Sequence, residues 1–261
     1  MNIIVCVKQV PDTLVVGVDS KTNTLIREGV DSVINPFDLH AAEEALRLKE
    51  RYGGVVTALS MGPAQVIDTL RQVLSLGVER GVLLCDIGFA GADTLATSYT
   101  LATAVKKLGR FDLIICGRQA VDGDTAHVGP SLAEKLGIPH ISCAVKIHKV
   151  TDKYIIAQRM TDGAIEKVKL SLPGLITVSK SINEPRTATL KGKIKAARVE
   201  VEIWSAHDIG ADESKIGLKG SATRVVKMAT PKHDRAGLLL EGSVVEQVKV
   251  LALKLQQAKV L

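Results

Sequence analysis

The sequence predicts an α/β fold built on a parallel sheet with helices on both faces. Three observations carry this. Short apolar runs of strand length alternate with longer amphipathic stretches from residue 1 to about 145. The connections between successive runs are long enough to return each strand parallel to the last. The apolar content of 46% comes from Val, Ile, Leu and Ala, with only 3% aromatics, the mixture of a helix-covered parallel sheet.

The elements follow in order. Ile3 to Val7 is a first buried strand, and Lys8 to Thr13 a loop at its carboxyl end. Leu14 to Val18 and Thr24 to Arg27 flank a polar turn and predict a hairpin. Asn35, with Pro36 behind it and Asp38 at N3, opens a helix that Gly53-Gly54 ends. Val55 to Ser60 is a strand, Ala64 to Leu76 a helix, and Val82 to Cys85 a strand followed by a glycine-rich loop. Asp93 or Thr94 caps the next helix, which reaches Leu108.

The most informative stretch is Phe111 to Cys143. Leu113 to Cys116 predicts a strand and Gly117 ends it. A polar loop runs from Arg118 to Asp124, and Thr125 to Leu136 predicts a helix stopped by Gly137 and Pro139. Such a loop lies at the carboxyl end of a strand, where open α/β sheets bind ligands. Asp124 or Thr125 caps the helix, and Gly123 permits close approach. The first-turn N–H groups then favour a phosphate or pyrophosphate. An ordinary βα loop with a capped helix has the same pattern. Asp122 and Asp124 repel phosphate, so their expected work is to hold the loop.

After residue 145 the rhythm changes. Ala144 to Val150, Tyr154 to Arg159 and Ile165 to Leu170 predict an antiparallel meander, and Leu175 to Ser179 one more buried strand. Beyond Asn183 the chain is basic and weakly periodic until a last helix, about Ser243 to Lys259. This divides the chain into a nucleotide-binding α/β domain, 1–182, and a C-terminal arm, 183–261, that packs on something other than itself.

Several chemistries are absent from the pattern. No G-x-G-x-x-G follows a strand and no P-loop occurs. His40 and Glu44 share a helix face but lack a third ligand, so a solvated face is expected there and no metal. No hydrolytic triad or paired-carboxylate site stands out. Net charge is +6, gathered in Lys191, Lys193, Lys195 and Arg198, but few aromatics and no nucleic-acid motif argue against RNA or DNA. Cys6, Cys85, Cys116 and Cys143 form no C-x-x-C pair and are expected as buried free thiols in a reducing cytoplasm. No signal peptide and no membrane-inserting stretch is expected.

Five ordered motifs resemble the beta subunits of electron-transfer flavoproteins (ETF). They are NIIVCVKQVPD (2–12), Asn35-Pro36-Phe37-Asp38 with AAEEALRLKE (41–50), Gly62-Pro63-Ala64-Gln65, GRQAVDGDTAHVGP (117–130), and Asn183-Glu184-Pro185-Arg186 with Ala188-Thr189-Leu190. The resemblance spans nearly the whole chain. It implies a Rossmann-like fold of the adenine nucleotide alpha hydrolase-like kind, with an antiparallel hairpin extension and an arm wrapping an alpha subunit in a heterodimer. It implies a nucleotide site of four parts: Cys6; Asn35, Pro36, Phe37 and Asp38; Met61; and the phosphate loop Gln119, Ala120, Val121, Asp122, Gly123, Asp124, Thr125, Ala126, His127, Val128, Gly129 and Pro130. It implies no catalytic residue of the chain's own, and assigns Leu190 to docking a partner acyl-CoA dehydrogenase or reductase.

The family has two branches. One holds AMP in the beta site, with a loop like QAIDDDCNQTGQ, beside a single FAD bound mainly by alpha. The other holds a second FAD there, takes a hydride from NADH and splits its electrons, one going to a low-potential acceptor such as ferredoxin or flavodoxin. Its loop resembles QAIDGDTAQVGP. The present loop is similar to the second, departing at Val121 and at His127, where an imidazole can add a pH dependence. Thr13, small where the AMP branch is bulky, points the same way. The resemblance therefore implies FAD, with AMP the alternative, and NADH oxidation only within the alpha–beta complex.

Overall fold

The computed structural model describes residues 1–12, 32–226 and 237–260, and the backbone of the short strands at 18–19 and 24–25. The chain forms β1 (Asn2–Cys6), β2 (Gln9–Pro11), β3 (Val18–Asp19), β4 (Thr24–Leu25) and β5 (Ser32–Ile34), then α1 (Pro36–Tyr52). It continues with β6 (Val55–Met61), α2 (Val66–Leu76), β7 (Arg80–Leu84), α3 (Thr94–Leu108), β8 (Leu113–Gly117) and α4 (Val128–Leu136). Then come β9 (His140–Val150), β10 (Tyr154–Thr161), β11 (Ala164–Ser171), β12 (Gly174–Val178), α5 (Leu190–Arg198), β13 (Glu202–Trp204) and α6 (Val244–Gln257). The expected α/β alternation is present. The hairpin appears as the antiparallel pair β3–β4, while the expected flanks 14–17 and 26–27, and Thr13, lie outside the described residues.

Nine strands form one sheet in the order β11-β10-β9-β12-β8-β1-β6-β7-β13. Its central strands run parallel, and β9, β10 and β11 form the antiparallel meander. The meander's first strand, expected from Ala144, begins at His140. β9 pairs parallel with β12 at His140, Ile141 and Ala144, then turns to the hairpin with β10. The change occurs at Cys143, whose φ of 58° is unusual for a residue with a side chain. The Cys143 N–H donates to the Thr177 hydroxyl at 3.0 Å, a side-chain acceptor where the ladder shifts.

The period of two in the strands sorts the core into two layers. Ile3, Val5, Leu113 and Ile115 face α1 and α2, packing with Ala41, Ala45, Leu46, Leu70 and Val73. Ile4, Ile114 and Cys116 face the other way, onto Leu101, Ala104, Val105, Leu132 and Ala133 of α3 and α4. Small alanines on α1 let it lie close on β1 and β8.

Two compact units are present, Met1–Lys227 and Met228–Leu261. The sequence places the start of the arm at 183, yet residues from 183 to 204 pack back on α1, α2 and the sheet. Asn183 donates to the Glu44 carboxylate and the His40 carbonyl, both at 3.0 Å, and Glu44 is 8% exposed. The solvated face expected at His40 and Glu44 is therefore corrected: the returning chain covers it. Arg186 binds Glu43 at 2.7 Å and Glu50 at 2.5 Å. Helix α5 lies on α2 with Gly192 against the Ser75 carbonyl, and β13 extends the sheet beside β7, a strand the sequence did not predict. In the second unit, α6 starts in a capping box between Ser243 and Glu246, and most of its apolar residues are exposed.

One glycine in the sheet is fixed by space alone. A Cβ on Gly117 would meet the Asp38 Oδ1 and lie 2.7 Å from Phe37 Cβ and 2.8 Å from Phe37 carbonyl carbon. At Gly123 a Cβ would meet nothing within 4 Å. Gly117→Ala is expected to cost about 1–3 kcal/mol or more in urea unfolding, and Gly123→Ala to stay within about 0.5 kcal/mol. Equal losses at both would show that the contact with α1 does not fix Gly117.

Candidate functional site

The carboxyl ends of β1, β6, β7 and β8 open into a cleft of about 1020 Å³. It sits where the winding reverses, between β1 and β8, the position at which open α/β sheets bind ligands. Cys6 and Cys116, paired across β1 and β8, belong to its floor. Contact with the Cys6 thiol, then burial, pushes the Cys116 thiol above the ordinary thiol range, so that thiol is uncharged near neutral pH.

Asp38, in the first turn of α1, ties the floor together. Its Oδ2 accepts the Lys8 N–H at 2.8 Å and its Oδ1 the Gly117 N–H at 3.1 Å. It is 6% exposed, and burial pushes its carboxyl up to about 7, against the pull of Lys8, Asn35 and Gly117. Asn35 makes no cap with its side chain, contrary to the expectation from its place before Pro36. Its amide instead donates to the Gln119 carbonyl at 2.8 Å, and its Oδ1 accepts the Val121 N–H at 3.2 Å. The residue that looked like a helix cap is the bracket of the 119–121 loop.

Farther along the loop, both oxygens of Asp122 lie 2.7 Å from the Lys8 ammonium. The Gln119 amide donates to the Asp124 carboxylate. Both aspartates are thus engaged by protein groups. Asp124 and Ala126 have φ of 55° and 56°, a conformation rare for residues with a Cβ. They break the helix expected from Thr125, and α4 begins only at Val128 with His127 as an N-cap that gives no side-chain bond. Neither Asp124 nor Thr125 caps it. Among the described residues, the N–H groups of Thr125, Ala126, Val128 and Gly129 find no acceptor within the normal hydrogen-bond range. Unclaimed N–H groups in an alternating backbone at a helix start form an anion-binding concavity. Gly129 serves packing as well, since a Cβ there would collide with Thr177 of β12.

Of the residues expected in the nucleotide site, Cys6, Asn35, Asp38, Met61, Gln119, Ala120 and the run Gly123 to Gly129 line the cleft. The others are not part of its lining. Pro36 is the first residue of α1. Phe37 lies under the Lys180 ammonium, 4.9 Å from its ring centre, so it is not the apolar wall of the cleft. Val121 and Asp122 serve the loop through Asn35 and Lys8, and Pro130 sits in the first turn of α4 without an N–H to offer. Leu190 is apart from the cleft. It is the first residue of α5, not in a loop, and is 74% exposed.

The opposite wall escaped the sequence analysis. It comprises Asp86, Ile87, Phe89 to Asp93, Thr94 and Thr97, with Thr223 from the returning chain. Asp93 caps α3 through the Leu95 and Ala96 N–H groups and accepts from Thr223 at 2.9 Å and 3.0 Å. Its signal was present, a strand, a glycine-rich loop and an Asp-Thr cap, the pattern already singled out after β8. Cys6, Cys85 and Cys143 are partly exposed, so of the four free thiols expected to be buried only Cys116 is. Among the described residues there is no group of three or more metal-ligating side chains, and no helix is long and apolar enough to cross a membrane.

Residues 22–209 match the family described as the electron transfer flavoprotein domain. The electron transfer flavoprotein subunit beta of Thermoanaerobacterium thermosaccharolyticum is 45% identical over 262 residues, 100% of both chains. Protein FixA of Azorhizobium caulinodans is 45% identical over 238 residues, 88% of this chain and 85% of that one. The caffeyl-CoA reductase-Etf complex subunit CarD of Acetobacterium woodii is 41% identical over 249 residues, 95% of each.

The Asp38 carboxyl gives the site a measurable pH signature. Between the ordinary aspartate value and about 7, the folded chain holds a proton that the unfolded chain has released. Stability therefore falls as pH rises through that window, by up to about 1.4 kcal/mol per pH unit from this group. Urea unfolding from pH 4 to 7 is expected to show this slope in the parent and a flatter one in Asp38→Asn. Parallel profiles would show that Asp38 ionises in both states alike.

Proposed function

The chain belongs to the electron transfer flavoprotein family, as a beta subunit, and on that premise we propose that its cleft holds FAD in a bifurcating alpha–beta heterodimer. The observation that carries this is the loop 119–129: its carboxylates are engaged by Lys8 and Gln119, and four N–H groups are left for an anion. The volume supports a dinucleotide. About 1020 Å³ lies at the upper end of the roughly 300–1,000 Å³ typical of ligand sites, more than a mononucleotide such as AMP needs.

When bound, the flavin supplies the ring that accepts a hydride and passes electrons on singly. The chain's own residues bind and orient. The N–H groups of 125–129 meet the pyrophosphate, the Cys6–Cys116 floor lies against the nucleoside, and Asp38 and Asn35 hold the loop in place. NADH is the donor in this reading, and the acceptors are an acyl-CoA dehydrogenase or reductase and a low-potential carrier such as ferredoxin or flavodoxin. The name of the Acetobacterium relative, a subunit of a caffeyl-CoA reductase complex, supports the first of these. The exposed apolar residues of α6 fit the wrapping of an alpha subunit. The free thiols support a reducing, cytoplasmic setting.

The test is stoichiometry. The purified heterodimer is expected to release two FAD and no AMP. One FAD with one AMP would overturn the bifurcating reading in favour of a structural nucleotide. Gly123→Val, which projects bulk where the protein leaves open space, is expected to remove the beta flavin and NADH oxidation while the alpha flavin stays.

Leu190 is the proposed docking residue for the dehydrogenase. It stands exposed at the start of a helix rich in lysine, with Thr189 capping the Gly192 N–H at 3.0 Å. Leu190→Ala is expected to slow electron transfer to the dehydrogenase roughly tenfold, with flavin content and melting temperature unchanged. A large fall in melting temperature would place Leu190 in the core instead.

A further inference from the structure

We propose that Arg118 is a phosphate-binding residue of the cleft, the cation that recognises the pyrophosphate of the bound nucleotide. The proposal rests on the nucleotide reading of the site and adds a side chain outside the loop 119–130.

The argument is one of elimination among the charged groups of the cleft. Lys8 is the other fixed cation on its lining, and both oxygens of Asp122 lie 2.7 Å from its ammonium. The carboxylates are also engaged. Asp38 holds the Lys8 and Gly117 N–H groups, and Asp124 accepts from the Gln119 amide. Asp86 accepts from the Gly88 and Ala206 N–H groups at 2.8 Å and 2.9 Å, which hold its carboxyl below the usual range. Asp93 caps α3 and holds Thr223. Arg118 lines the cleft, is exposed, and among the described residues has no carboxylate within ion-pair distance and no side-chain hydrogen bond.

Its backbone, by contrast, is held on every side. The Arg118 N–H donates to the Val178 carbonyl at 2.9 Å. The residue before it is wedged against α1, and the residue after it gives its carbonyl to Asn35. A fixed backbone with an unclaimed guanidinium leaves only the side chain's own rotamer freedom to be lost when a ligand binds. The guanidinium presents paired N–H donors that match two oxygens of one phosphate. The same lining carries the unclaimed N–H groups of Thr125, Ala126, Val128 and Gly129. Those groups provide partial positive charge, and Arg118 provides the full charge that a diphosphate needs.

The alpha–beta complex, dialysed free of nucleotide, is titrated calorimetrically with adenosine, AMP and ADP, as parent, Arg118→Ala and Arg118→Lys. Only the beta chain differs, so changes report this cleft. Arg118→Ala is expected to weaken ADP by about 10- to 100-fold, AMP by less, and adenosine by less than about twofold, with an unchanged melting temperature and a shallower salt dependence. Arg118→Lys is expected to restore part of the ADP affinity, since it keeps the charge and loses the paired geometry. An equal loss for adenosine and ADP, or no loss for ADP, overturns the role of Arg118 while leaving the nucleotide site standing. Failure of the parent complex to bind any of the three overturns both readings.

Discussion

The carboxyl group of Asp38 is the point on which the cleft hangs. It sits in the first turn of α1 and holds the ends of two sheet strands through backbone N–H groups, Lys8 after β1 and Gly117 at the end of β8. The contact is close enough that only glycine fits at 117. From that clasp the rest follows. Lys8 is placed to reach Asp122, Asn35 to reach Gln119 and Val121, and the loop is carried over the cleft with its own carboxylates already engaged. A buried carboxyl is a costly fastening. Its value is direction: one side chain sets helix, strand end and loop at once, which apolar packing cannot do.

The same economy explains why the site is made of backbone. The loop side chains that could repel a phosphate are engaged by Lys8 and Gln119, and the groups left over are main-chain N–H donors held in a conformation that Asp124 and Ala126 adopt at a cost. Such strain persists only where the surroundings over-determine it. Here the Ala120 carbonyl receives the Asp124 N–H at 2.8 Å, Asn35 holds 119 and 121, and Gly129 packs without a side chain against Thr177.

Much of this architecture was legible in the sequence, because the sheet and its helices follow from local pattern. The strands at 3–7, 55–60 and 113–116 are short apolar runs, and the helices between them carry apolar residues at helical spacing. The failures share a cause. Asn35 before a proline has the composition of a cap, but its side chain bonds a loop 84 residues away. Thr125 has the composition of a helix start, but two neighbours in the left-handed region delay α4 to Val128. His40 and Glu44 look solvated until Asn183 returns to them. In each case a tertiary partner far along the chain redirected a polar residue whose local signal was genuine. Arg118 and the wall at 86–93 were missed differently: their types were visible, but their convergence on one cleft depends on strand order.

That strand order has a consequence for how the protein is made. β12, residues 174–178, lies between β8 and β9, though both precede it in the chain. Until it is in place, β8 and β9 are unsatisfied edges facing a gap, and Arg118, Gly129 and Cys143 lack the strand they bond or pack against. A growing chain on the ribosome can collapse its first half early, from local pieces. The cleft is complete only when a late strand threads between two earlier ones, a non-local step of the kind that slows folding and leaves sticky edges exposed. Completion of the cleft floor therefore waits for residues 174–178, made after both of the strands that flank them.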